Sequence, residues 1–204
     1  MSFGVIAYEL LKAVVGPCAG AWIGATLAFR WNARVRQKDE DRRKIAALHD
    51  AQVAIHLRYS MLATYHREIL EPHFDKSDRW AHVKAGNILS DERLPPIEAN
   101  RLVFLAFGVR PSLLQDVYAG SHQFSQACAA IDQWNQTSKE VAVLLGTVTG
   151  RPTAADRATI SVNVLYNALP RTIESLLRVY EKLVQEMDER YPDEKSYGPV
   201  PEWK

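Results

Sequence analysis

Seventeen residues without a charge, "AVVGPCAGAWIGATLAF" from Ala13 to Phe29, run straight into a dense basic stretch. Arg30, Arg34, Arg36, Lys38, Arg42, Arg43 and Lys44 then fall within fifteen positions. A helix apolar on every face has to be covered on every face, by protein or by hydrocarbon. A bilayer core about 30 Å thick takes about 20 helical residues, with a range of roughly 17 to 25. Phe3 to Phe29 reaches that length with some tilt and leaves Glu9 and Lys12 near one boundary. At the other boundary stand Trp31 and the bases Arg30, Arg34 and Arg36, the residue types that settle at a membrane–water interface. Residues 1–30 are therefore predicted to form a transmembrane anchor.

Two other readings fit less well. A cleaved export signal opens with basic residues and closes on a small-residue cleavage site, whereas the first eleven residues here hold neither Lys nor Arg. A buried helix of a water-soluble core would need neighbours all round it. Lys and Arg are retained on the cytoplasmic side of a span, which puts the short N-terminus outside and the bulk of the chain inside, in a bacterial inner membrane.

Within the apolar run Gly16, Gly20 and Gly24 recur every four residues. Such spacing lines up small residues on one helix face and lets a second helix approach closely. Glu9, seven residues before Gly16, shares that face. A carboxylate at membrane depth faces a partner or water, so a second copy of the chain is the expected neighbour.

Between Ala25 and Glu71 there is no glycine or proline. One helix is predicted to continue from the span into the cytoplasm, with Leu48, Ile55, Leu62 and Ile69 at period seven forming a stripe that packs in a bundle or against a second copy. Pro72 closes it. "HFDKSDRWAHVKAGNILSDERLPP" reads as a connection, and "IEANRLVFLAF" as a short apolar helix ended by Gly108. A longer helix is expected from Pro111 to near Gly146, then a loop "GTVTGRP", then a last helix begun by Thr153 and Asp156 in a capping box and kinked at Pro170. "ATISVNVLYN" is the segment with the strongest strand character, yet it lacks sustained alternation. The fold class is all-α: an N-terminal transmembrane helix continuing into a cytoplasmic antiparallel helical bundle over residues 31–191, with a flexible C-terminal tail over 192–204.

The chemistry is sparse. A formal net charge of +1 gives no reason to expect nucleic acid as a partner. Two cysteines supply no disulfide framework, and the six histidines lack the i, i+3 or i+4 spacing of helical metal ligands, so no metal and no cofactor are expected. Phosphate loops, dinucleotide fingerprints and nucleophile elbows are missing from the sequence. One catalytic arrangement fits the spacing. Helical ribonucleases of the HEPN type set an arginine and a histidine on one helix, the first to steady phosphate charge and the second to move a proton. Arg43 with His49 and Arg67 with His73 each have five residues between them. Pairs at this spacing also arise by chance in a chain with this many bases.

A single span joined to a helical body with degenerate Arg and His pairs resembles, in architecture, the membrane pore accessory proteins of type VI-B CRISPR systems. That resemblance implies a ring of subunits, a pore along the membrane helices and a role in antiviral defence, with Gly16, Gly20 and Gly24 at the interface and Arg67 and His73 as the HEPN-like pair. The leading expectation is a non-enzymatic oligomeric membrane effector, scaffold or pore whose partners are the lipid bilayer and further copies of itself. A membrane-tethered, metal-independent ribonuclease and a passive anchor for a soluble protein partner are the alternatives.

Overall fold

The computed structural model describes residues 3–86, 93–144 and 151–198, and side chains for all of these except 3–20 and 151–152. Every regular element among the described residues is helical, so the fold is all-α. The chain divides into two compact units, Met1–Lys44 and Ile45–Lys204.

The first helix, α1, is recorded as Phe3–Tyr65. Pro72 does end the helical stretch, through two altered turns: a π-helical turn at His66–Leu70 and a 3-10 turn at Glu71–His73 that carries the proline near its start. Proline lacks the N–H that an α-helical bond needs, so the ladder re-registers ahead of it. A 3-10 turn at Arg79–Ala81 punctuates the connection. The predicted short helix after Pro96 is split into α2, Ala99–Leu102, and a 3-10 turn, Val103–Phe107, stopped at Gly108. The remaining helices are α3, Leu113–Leu144, and α4, Arg151–Arg190.

The start of α4 corrects the sequence reading. Thr153 and Asp156 lie inside the helix rather than at its cap, because the chain is already helical at Arg151. Pro152 occupies the first turn, where its missing N–H has no intrahelical partner to lose. "ATISVNVLYN" is helical throughout, and Pro170 sits inside α4.

The second unit is a three-helix bundle. Gln52 Nε2 donates to the Leu183 carbonyl and Tyr166 Oη to the Leu70 carbonyl; rising numbers on α1 meet falling numbers on α4, so the two run antiparallel. Lys182 pairs with Asp116 at 2.6 Å, while Gly120 lies under Val179 and Leu176, which makes α3 antiparallel to α4 as well. The core takes Leu48, Ile55 and Leu62 from α1, Phe124, Ile131 and Trp134 from α3, and Leu165, Leu169, Ile173 and Leu183 from α4, all essentially without exposure. Burying a side chain of this size stabilises the fold by about 1.5–3 kcal/mol. Glu186 is buried among them with its charge met by Arg110 at 3.4 Å and Arg190 at 2.8 Å. Gly108 is where these groups crowd the backbone, since a Cβ there would collide with the Arg190 guanidinium.

The expected tail begins at 192, and residues 192–198 are described. Although they carry no helix, they are tied to the bundle: Tyr197 N donates to Gln52 Oε1 at 2.8 Å, Tyr180 Oη donates to the Tyr197 carbonyl, and Ser196 Oγ donates to Asp188 at 2.9 Å. Gly198 has φ of +66°, a conformation that suits glycine. The Tyr197 ring lies 5.9 Å from that of His56.

Candidate functional site

Two surfaces have features that packing alone does not explain. The first is in the unit Met1–Lys44. Its described side chains are nearly all exposed, including Trp22 at 73%, Leu27 at 61%, Phe29 at 76% and Trp31 at 68%. With Ile23 at 54%, five large apolar residues are exposed within ten positions of one helix, the kind of patch that isolated water-soluble chains rarely present. Gly24 has no atom within 4 Å of the place a Cβ would occupy, so that helix face is open. Arg30, Arg34 and Arg36 are exposed beside Trp31. Glu9, Gly16 and Gly20 lie outside the described side chains. Among the described residues no helix is long and apolar enough to cross a membrane.

The period-seven stripe does not form a second open surface. Leu48, Ile55 and Leu62 are fully buried within the chain's own bundle, and Ile69 packs against the same core. Of the two neighbours the spacing allows, the chain's own bundle covers Leu48, Ile55 and Leu62, while Ile69 is half-buried.

The second surface is built by the connection after α1. Arg79 donates to Asn163 Oδ1 through Nη2 at 2.6 Å and lies over the Tyr166 ring at 4.3 Å. Both partners are on α4. Farther along, Asn135 on α3 grips the backbone of Gly86 twice, accepting from its N–H at 3.1 Å and donating to its carbonyl at 3.0 Å. Gly86 is tight against Tyr65, whose ring would lie 2.8 Å from a Cβ placed there. Burial pushes the Tyr65 hydroxyl up to about 12. Between these two anchors the chain "WAHVKA" passes from α4 to α3, and an open groove of about 660 Å³ results, lined by His73, Trp80, His82 and Lys84 on one side and Trp134 and Ser138 on the other.

In this groove the His73 and His82 rings stack, with centroids 5.7 Å apart and planes 29° from parallel. Loss of hydration lowers the His73 pKa, and Lys76, His82 and Lys84 lower it further. His82 is met by Asp78 at 3.4 Å. His73 Nδ1 and Trp134 Nε1 are buried without a hydrogen-bond partner.

His73 thus stacks on His82 and feels the charges of Lys76 and Lys84. Arg67 is exposed on the π-helical turn and acts instead on Tyr59, whose hydroxyl is raised by burial and partly lowered by that guanidinium. Arg43 is exposed in the first unit, and His49, half-buried, belongs to the second. Motif spacing does not find His82, Lys84 and Trp134, although "RWAHVK" from Arg79 to Lys84 holds the cue of three bases interleaved with apolar residues. Among the described residues no three His, Cys, Asp or Glu side chains converge as metal ligands would. No protein-family model, curated protein or solved structure matches the chain.

Proposed function

We propose that this chain is a single-span membrane protein with its N-terminus outside and its helical body in the cytoplasm, self-associating in the bilayer as a scaffold or pore. The observation that supports it is the exposed set Trp22, Ile23, Leu27 and Phe29, directly before the run of bases that begins at Arg30, with exposed Trp31 just inside that run. Hydrocarbon around the apolar side chains and headgroups beside the arginines would satisfy both. Self-association is placed on the glycine face, where Gly24 is open, because the bundle's own apolar stripe is already covered.

The test is fractionation followed by sizing. Full-length protein should pellet with membranes, resist carbonate extraction and need detergent to dissolve. Detergent-solubilised wild type should run as an assembly by light scattering, and Gly24→Ile should reduce its mass without altering the helical content. Protein that stays in the supernatant after hard centrifugation of a gentle lysate would sink the membrane reading, and a strictly monomeric wild type would sink the self-association.

A further inference from the structure

The turn that follows α2 displays apolar side chains to the outside. Val103, Phe107 and Val109 are 47%, 86% and 77% exposed, all within seven positions. A single exposed apolar residue is ordinary on a protein surface. Three on one short turn, with Leu105 among them fully buried, form an apolar projection. The turn is held firmly in place. Gly108 N donates to the Leu105 carbonyl at 3.1 Å, the Arg190 guanidinium lies over the Phe104 ring at 5.4 Å, and Arg110 pairs with Glu186 at 3.4 Å and with Glu189. A ring presented from a pinned turn loses little freedom when something covers it.

Directly before this turn the chain walls an open hollow of about 300 Å³, lined by Ala51, Val53, Pro95, Pro96, Ile97 and Leu102. The charged groups beside it are paired with one another: Arg101 meets Asp50 at 2.7 Å and Glu98 at 3.7 Å. What the walls reward is therefore an apolar occupant. The size is at the bottom of the roughly 300–1,000 Å³ range of sites for organic ligands and suits one large side chain.

We propose that the hollow receives Phe107 from a second copy of the chain, reciprocally, so that the projection of each copy enters the hollow of the other. Projection and hollow share one stretch, residues 95–109, and a two-fold axis passing beside that stretch sets each against its counterpart. A buried aromatic side chain takes about 150–250 Å² out of water. Even with both rings seated and Val109 packed beside them, the contact falls short of the roughly 1,200–2,000 Å² of a free-standing interface. It acts between copies that are already neighbours. The proposal thus rests on the self-association reading above, in which the membrane helices supply the local concentration that lets a small second contact count.

The test uses the full-length chain in detergent with Phe107 replaced by p-benzoylphenylalanine, which keeps an aromatic projection and makes it photoreactive. Chains labelled with ¹⁴N and ¹⁵N are mixed, sized and irradiated, so that a peptide pair of mixed isotopes reports a link between two copies. Such pairs should join residue 107 to the peptide carrying Ala51 and Val53 or to the one carrying Pro96 and Ile97. Phe107→Ala removes the exposed ring, and Pro96→Glu sets a charge on an exposed wall of the hollow. Each should raise the concentration at which the assembly dissociates roughly tenfold, with helical content unchanged. The double variant should be no weaker than the weaker single one, because both lose the same contact. Where the wild type is an assembly, cross-links confined to lipid, to detergent, to the chain's own peptides or to other surfaces overturn the proposal and leave self-association standing, as do losses that add in the double variant. A monomeric wild type removes both.

Discussion

The stretches of α1 around residues 22–35 and 47–62 have comparable numbers of apolar side chains and opposite surroundings. From Ala47 to Leu62 the fully buried Leu48, Ile55 and Leu62 return every seven positions, covered by the bundle. From Trp22 to Val35 the large apolar residues are exposed, and nothing in the described chain covers them. The difference teaches that apolar content says only that cover is needed, while its periodicity says how much of the circumference needs it. One stripe can be covered by two neighbouring helices of the same chain. Apolar residues on all faces require a solvent that is itself apolar, or several copies.

The sharpest way to break this contrast is to make one substitution in both stretches. Leu62→Ala leaves a cavity beneath α3 and α4 and should cost about 2–5 kcal/mol, read as a fall in the urea midpoint of the detergent-solubilised protein. Leu27→Ala removes the same atoms from an exposed site and should stay within about 0.5 kcal/mol. Equal effects would mean that Leu27 has a protein neighbour as intimate as those of Leu62. A charge probes the solvent directly. Ile23→Asp should leave the urea midpoint unchanged yet shift the chain out of the membrane pellet, since a carboxylate costs about 2.5–3.5 kcal/mol at mid-span and less toward the boundary. Retention in the pellet at the wild-type level would show that water or protein, and not lipid, meets this face.

A smaller effect is expected where the bundle holds the end of the chain. Gln52 is fully buried and joins α1 to both Leu183 and Tyr197. Gln52→Ala removes both bonds and should cost about 1–3 kcal/mol, while making the chain after Tyr191 more open to limited proteolysis. If digestion there proceeds at the wild-type rate, Tyr180 and Ser196 hold this segment without Gln52.

How much of this was readable in advance divides along the same line. The bundle was readable because Leu48, Ile55 and Leu62, Val117, Phe124 and Ile131, and the long row on α4 all report their burial through local spacing. The stripe's partner was not: period seven fits a neighbour from the same chain or from another copy equally well, and only the placement of α3 and α4 distinguishes them. The capping box at Thr153 lost to a local rule: proline suits the first turn, and with Pro152 there Thr153 falls inside the helix. The groove was the least legible part. His73 and His82 are nine residues apart, and Trp134 is more than fifty residues farther on. They meet because Asn135 holds Gly86 and Asn163 holds Arg79, and long-range side-chain bonds of this kind have no periodic signature. The HEPN-like pairs show the converse: Arg67 and His73 have the right separation, but separation says nothing of surroundings, and His73 stacks on His82 while Arg67 is exposed.

The least costly perturbation is pH, which distinguishes the connection from the rest of the bundle. His66 is lowered by burial, with Glu71 opposing, and His73 is lowered by loss of hydration and by its cationic neighbours. For both, the unfolded chain binds protons at a higher pH than the folded one. Stability therefore rises with pH across this window, is fully present above about 6.5, and is lost as the pH falls below that value toward the depressed folded pKa values. Glu189 is lowered mainly by its hydrogen bond from Arg110, so its contribution is present above the ordinary carboxylate range and disappears only in stronger acid. Thermal melts should accordingly show two separate declines, one beginning near pH 6.5 and one below about 4.5. His66→Gln should reduce the first to the share carried by His73 and spare the second, and Arg110→Gln should remove the second and spare the first. A melting temperature that is level between pH 7.5 and 5.5 would mean that neither imidazole is held as the packing of the connection requires.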